Sequence, residues 1–184
     1  MIHDQDRSGW FGASDTATIM GHWGTKTFHL WWLEKLGLRK NTYRNLAMQT
    51  GTAYEHRILE ACGIKKMDRQ IKIRALRLRV NLDGETRDRI LEVKTHRNLF
   101  KVTKAYWMQA QVEWFAAGKP VTIVSYQLNP EDYRNWFNPI ELCRLQYHPI
   151  EPDPKWINSA YLPRVTYLCS CLKKGVLPDE SKIE

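Results

Sequence analysis

Asn81-Leu82-Asp83-Gly84, followed closely by Leu91-Glu92-Val93-Lys94-Thr95, is the stretch on which the reading of this chain turns. It has the form of a β-hairpin. Side chains alternate faces along a strand, so Glu92 and Lys94 point one way and Leu91, Val93 and Thr95 the other. Asp83-Gly84 reads as a turn pair that ends the first strand and brings Asp83 beside Glu92. Two carboxylates and an amine converging at a strand end suit a hard divalent cation and a polarised water. The plainer reading is a solvated face with weak cross-strand charge pairs, and the rest of the chain has to decide between them.

The 184 residues fit one domain with a sizeable core, and the 43% hydrophobic and 26% charged content is that of a soluble globular protein. No apolar run approaches a membrane span, and the polar opening Met1-Ile2-His3-Asp4-Gln5-Asp6 is not a signal peptide, so a cytoplasmic protein is expected. A formal net charge of +8 favours an anionic partner, most simply nucleic acid. Cys62, Cys143, Cys169 and Cys171 contain no C-x-x-C pair, which removes zinc-ribbon spacing. One early and three late cysteines fit an iron–sulfur cluster in number. Cys62, however, lies in an apolar helical stripe and Cys169 and Cys171 are closely spaced, so four reduced thiols are the expectation.

Along the chain, Arg7 to Asp15 leads into a short helix over 15–20, with Ser14 as N-cap and Gly21 as stop. A free hydroxyl at a helix N-terminus with Arg7 in reach is an anion site; the alternative is that Ser14 only caps. Residues 27–38 form a helix whose Phe28, Trp31, Trp32 and Leu36 read as core, with Lys35, Arg39, Lys40 and Arg44 as a solvated basic end. In the helix over 45–62, Met48, Thr52, Glu55, Ile58, Leu59 and Cys62 share a face, which places Glu55 in an apolar stripe. A buried carboxylate needs a cation; the alternative is a Glu at the stripe's edge that reaches solvent or pairs locally with His56 or Arg57. Gly51 leaves room on that face for another element.

Residues 69–74 and 76–82 read as strands. The second puts Leu76, Leu78, Val80 and Leu82 on one side and Arg77, Arg79, Asn81 and Asp83 on the other. Thr103 caps a helix to Ala117-Gly118, with Gln109 in its apolar stripe and Gln111 facing water. Residues 121–128 and 139–147 read as strands, and 156–174 as a helical tail interrupted at Pro163. No repeat or long linker divides the chain.

Gly12-Ala13-Ser14-Asp15, Gly51-Thr52-Ala53-Tyr54-Glu55, Asp83-Gly84 with Glu92-Val93-Lys94, and Tyr106-x-x-Gln109-x-Gln111 fall in a fixed order. Together they resemble the YqaJ viral recombinase family, the lambda exonuclease-like branch of the PD-(D/E)xK nuclease superfamily. Leu82 stands where that motif often has proline. The likeness covers about 7–128, leaving 129–184 as a strand and helical tail. It implies an α/β fold with a mixed central β-sheet flanked by helices, in one nuclease domain over 1–184. It also implies a metal-dependent DNA exonuclease working from the 5′ end of duplex DNA in phage-type recombination. By motif position, Asp83, Glu92 and the Val93 backbone carbonyl would hold metal, with Glu55 serving a second ion or its water. Lys94 would orient or deprotonate the attacking water, Gln109 would hold the site together, and Arg7 and Ser14 would take a terminal 5′-phosphate. Arg77, Arg79 and Arg97 are weaker candidates for DNA contact. The implied cofactor is Mg²⁺ or Mn²⁺, two ions. The implied partners are double-stranded DNA, a single-strand annealing protein and a homotrimeric ring, with no membrane. A restriction-like or nicking endonuclease sharing the site, an iron–sulfur nuclease and a non-catalytic binding module are the competing readings.

Overall fold

The computed structural model of the chain describes residues 7–40 and 42–183; the opening segment 1–6 lies outside them. Five strands form one sheet in the order β1-β2-β3-β4-β5: Lys66–Ile73, Leu78–Glu85, Ile90–His96, Val121–Gln127 and Leu145–Ile150. β3 and β4 pair in parallel, from Ile90↔Val121 to His96↔Gln127, and the other neighbours are antiparallel. A parallel pair needs a crossover, supplied here by helix α4 below. The sheet is therefore mixed, as the sequence implied.

The helices are α1 (Thr16–Ile19), α2 (Lys26–Lys35), α3 (Leu46–Ala61), α4 (Lys104–Ala117), α5 (Pro154–Trp156) and α6 (Leu162–Lys174). Their ends follow local chemistry. Thr25, Asn45 and Thr103 each accept the backbone N–H three residues on. α4 stops at Gly118, whose φ of +68° is left-handed and open to glycine at no steric cost.

Two buried clusters sandwich the sheet. One gathers Trp23, Phe28, Trp32, Val112, Ile123, Val165 and Leu168 from α2, α4, α6 and the sheet. The other packs Tyr54, Ile58 and Leu59 of α3 on Leu91, Val93, Val124 and Tyr126.

Several boundaries differ from the sequence reading. The segment from Arg74 to Leu76 is a 3-10 turn, so β2 begins at Leu78 and Arg77 sits before it with φ +51°. Residues 142–144 are another such turn, so β5 starts at Leu145. The tail does not restart at Pro163. A π-helical turn, Ile157–Tyr161, joins α5 to α6 and absorbs the hydrogen bond that proline cannot donate. The face of α3 is also rotated: Thr50, Tyr54, Ile58 and Leu59 are buried, while Met48 and Thr52 are exposed. Glu55 is left half-buried at the edge of that face.

Gly84 is not a turn residue. β2 runs on to Glu85 and the turn lies at 86–89, where Thr86 N–H bonds to the Arg89 carbonyl. Gly84 is needed because a Cβ there would meet Leu59 Cδ2 at 2.7 Å, so the sheet can lie close under α3. Gly51 answers from the helix side, its nearest neighbour being Thr95 Oγ1 at 3.0 Å from a built Cβ.

Candidate active site

The site lies where the β2–β3 ladder opens. Hydrogen-bonded pairs alternate along an antiparallel ladder, so after Thr86–Arg89 and Gly84–Leu91 the next would be Leu82–Val93. It is not made. The Asp83 carboxylate accepts the Val93 N–H instead, at 2.9 Å. A strand residue presents its N–H and C=O at the same edge, so the Val93 carbonyl is turned toward this opening too.

The chain near the N-terminus pairs with the start of β2, which β3 leaves unpaired. Phe11 N–H bonds to the Arg77 carbonyl and Arg79 N–H to the Phe11 carbonyl, a parallel bridge of Phe11 to Leu78. Phe11 is fully buried and stacks on Trp31 and Trp32, which anchors the segment. Between this segment and β3 lies a cavity of about 180 Å³, its walls including Arg7, Ser14, Arg79, Asp83, Glu92, Lys94 and Gln109. Asp83, Glu92, Lys94 and Gln109 from the metal side thus share one cavity with Arg7 and Ser14 from the phosphate side, while Glu55 stands outside its walls.

Lys94 Nζ donates to Glu92 Oε1 at 2.7 Å and to Gln109 Oε1 at 3.2 Å. Gln109 Nε2 donates to Glu92 Oε1 at 2.6 Å and to Glu113 Oε1 at 2.8 Å. Both ends of the Gln109 amide are therefore tied, and its orientation is fixed by what it joins. Glu113 joins the site without having been singled out from the sequence. It is fully buried, one turn after Gln109, and an acid four residues after an amide in an apolar stripe was the available signal.

The electrostatics show a site short of positive charge. Burial, followed by the Glu92 charge, pushes the Glu55 and Glu113 carboxyls up; burial followed by Glu92 and then Glu55 does the same to Asp83. For Lys94, burial opposes the charged form, but the Glu92 carboxylate outweighs it and raises the amine above its ordinary value. Oε2 of Glu92 and Oε2 of Glu113 are buried without a hydrogen-bond partner. Such orphan oxygens are costly unless a cation takes them. Clustered oxygen donors with an unsatisfied carboxylate oxygen fit a hard divalent ion.

Arg7 Nη1 donates to Ser14 Oγ at 3.3 Å. Ser14, however, is not an N-cap. It lies within a 3-10 turn, Ala13–Asp15, and the Gly12 N–H is taken by the Asp15 carboxylate at 2.7 Å. α1 has four residues, too few for a helix terminus to carry the anion site. Any anion binding here rests on side chains, and Arg79, buried in the cavity wall, adds to Arg7.

Arg77 does not join that face; its guanidinium stacks over Trp10 at 5.8 Å. Arg97 is exposed beyond β3. Lys35 is no solvated end charge, being buried and bonded to Asp15 Oδ2 at 2.5 Å. Gln111 does not face water either. Its amide donates to the Glu151 carbonyl at 2.8 Å and accepts the Asp153 N–H at 2.7 Å, pinning the tail to α4.

On α3, Arg57 turns away from Glu55 to the carbonyls of Trp136, Phe137 and Asn138. Glu55, His56 and Asp68 bring ligand atoms within 4.8 Å of one another, His56 Nε2 lying 3.1 Å from Asp68 Oδ1. The cysteines lie apart, Cys62 beside the Tyr147 hydroxyl and Cys169 on the Ala75 carbonyl.

No family model matches the chain, and no curated protein matches it by sequence. Solved structures do. An alkaline exonuclease from Laribacter hongkongensis is 22% identical, with TM-score 0.63 over 92% of this chain and 94% of that one. A phage-related exonuclease from Haemophilus somnus 129PT is 15% identical, with TM-score 0.66 over 90% and 92%. A protein described as SSO0001 is 12% identical, with TM-score 0.52 over 98% and 80%. The chain shares its fold with these two exonucleases.

Proposed function

We propose that this chain is a single-domain, metal-dependent deoxyribonuclease that degrades the 5′-ended strand of linear duplex DNA and leaves 3′ single-stranded tails. The observation that carries this reading is the shared cavity, which holds the Asp83 and Glu92 carboxylates and the Arg7, Ser14 and Arg79 side chains together. The likeness in fold to two exonucleases supports it.

Asp83, Glu92 and the Val93 carbonyl, with Glu55 from α3, are the residues to hold Mg²⁺ or Mn²⁺, at two positions. Bound there, the ions supply Lewis-acid stabilisation and a water of lowered pKa. The chain's own groups do the rest. Arg7, Arg79 and Ser14 hold the terminal phosphate, which carries more charge than an internal diester. Fixing that end sets which bond lies over the carboxylates, so binding energy is converted into register. Lys94, held against Glu92 and Gln109, orients or deprotonates the attacking water and offsets developing charge. Gln109 holds Lys94 and Glu92 at their spacing.

In this reading the partners are duplex DNA, further copies in a trimeric ring and a single-strand annealing protein, as suits phage-type recombination in the cytoplasm. Among the described residues no helix is long and apolar enough to cross a membrane.

The test compares end-labelled linear duplex carrying 5′-phosphate or 5′-hydroxyl with closed circles, in Mg²⁺. Faster attack on the phosphorylated end, shrinking in Arg7→Ala, is expected. Equal rates on both ends, or cleavage of circles, would replace the reading with an endonuclease.

A further inference from the structure

A second cleft lies on the far side of the Arg7–Gly9 segment. It has a volume of about 500 Å³ and is lined by Ser8, Gly9, Lys35, Leu36, Arg77 and the end of α6 from Leu172 to Gly175. No carboxylate stands in its wall. Lys35 is neutralised from behind by Asp15, and Gly9 N–H is tied to the Lys35 carbonyl at 2.7 Å, which fixes that side. Arg77, Lys173 and Lys174 are left facing the cleft from two elements that are remote in sequence.

Structural duty covers part of this. Two lysines in the last turn of α6 complement its C-terminal carbonyls. That does not account for Arg77 on the opposite wall, held with φ +51° ahead of β2, nor for the lack of any acid between them.

The cleft also adjoins the active cavity. Arg7 lines the cavity and Ser8 the cleft; Arg79 lines the cavity and Arg77 the cleft. Two residues of extended chain span about 7 Å, comparable to about two base steps of duplex measured along its axis at about 3.4 Å each. Trp10 links the two through Arg77. Its ring lines the cavity and carries Arg77 at 5.8 Å, with Lys72 at 5.6 Å.

We infer that this cleft is a second backbone site, in which Arg77, Lys173 and Lys174 hold phosphates of the same DNA a short distance from the scissile end. The inference rests on the nuclease reading and extends it, giving the C-terminal helix a part in holding substrate.

The test uses Lys173→Ala/Lys174→Ala, two exposed side chains outside the catalytic cavity. Duplex binding is measured against salt in EDTA by fluorescence anisotropy, and hydrolysis at saturating duplex in Mg²⁺. The log–log salt slope should fall by about 2, so each doubling of salt weakens the variant about fourfold less than the wild type, with saturated turnover unchanged. Lys26→Ala/Lys155→Ala removes the same charge elsewhere and should keep the full slope. An unchanged slope in the first variant, or an equal fall in the second, overturns the cleft while an active wild type leaves the nuclease reading standing. A wild type that neither binds nor cuts duplex overturns both.

Discussion

The same hairpin carries two buried carboxylates with opposite fates. Glu85, at the end of β2, is enclosed by Lys66 at 2.5 Å, Arg69 at 3.0 Å and Lys119 at 2.9 Å. Burial opposes its ionisation, yet these three partners hold the carboxyl down at about 2. Glu92, near the start of β3, shares one oxygen between Lys94 and Gln109 and leaves the other unbonded. Its neighbours Asp83, Glu55 and Glu113 are all pushed up. A buried acid that is fully neutralised is doing a structural job. Buried acids left short of charge are built for something that arrives from outside.

The largest expected effect is on Asp83→Ala and Glu92→Ala. Each should lower Mg²⁺-dependent hydrolysis by about 10³ or more, roughly 4 kcal/mol of transition-state stabilisation. Each should still fold, with a lower melting temperature, because Glu92→Ala strands the Lys94 amine and Asp83→Ala strands the Val93 N–H. End-label release and thermal melts together check this; a folded variant that still cleaves would dissolve the contrast.

Glu85→Ala should spare the chemistry. It removes the shared partner of three cations, two of them well exposed and able to turn to water, and should cost about 1 kcal/mol of stability, with turnover at low temperature retained. The pH dependence follows from the lowered folded-state pKa. The Glu85 contribution is fully present above the ordinary carboxylate value near 4.5 and is lost as pH falls toward about 2. Urea midpoints across that range should drop for the wild type and be flatter for Glu85→Gln.

Lys94→Ala should cost about 2 kcal/mol in kcat, the scale of a lost charge in the transition state. Single-turnover rates measure it, and a loss confined to KM would assign Lys94 to substrate binding instead.

Glu113→Ala should cost about 1–2 kcal/mol, on the scale of losing an outer-shell partner of a metal ligand. Glu113→Gln keeps an acceptor for Gln109 Nε2 and should stay close to wild type. Because Glu113 acts through Gln109, Gln109→Ala/Glu113→Ala should be no slower than Gln109→Ala alone. Additive losses would show that Glu113 has a separate role.

Much of this was legible locally. The alternation over 91–95 gave a strand with Glu92 and Lys94 on one face, and Thr103 with Gly118 bounded α4 almost to the residue. Glu55 and Gln109 stood out because polar groups in apolar stripes need partners. Gly84 misled, because a glycine that lets a helix approach reads in sequence like one that turns a chain. Ser14 misled because the cap came from Asp15. Gln111 misled because its partners, Glu151 and Asp153, lie some forty residues on.

By itself the sequence determined the hairpin, the order of the motifs and the residues that would have to find charged or polar partners, since periodicity and capping act over a few residues. Only the tertiary structure decided which partners they found. The opening of the β2–β3 ladder, the entry of Phe11 against β2 and the meeting of Arg7 with Asp83 and Glu92 in one cavity join segments far apart in the chain. Fate as structural or functional acid was settled there too. Glu85 and Glu92 have the same side chain on the same hairpin and differ in the cations that packing delivers to them.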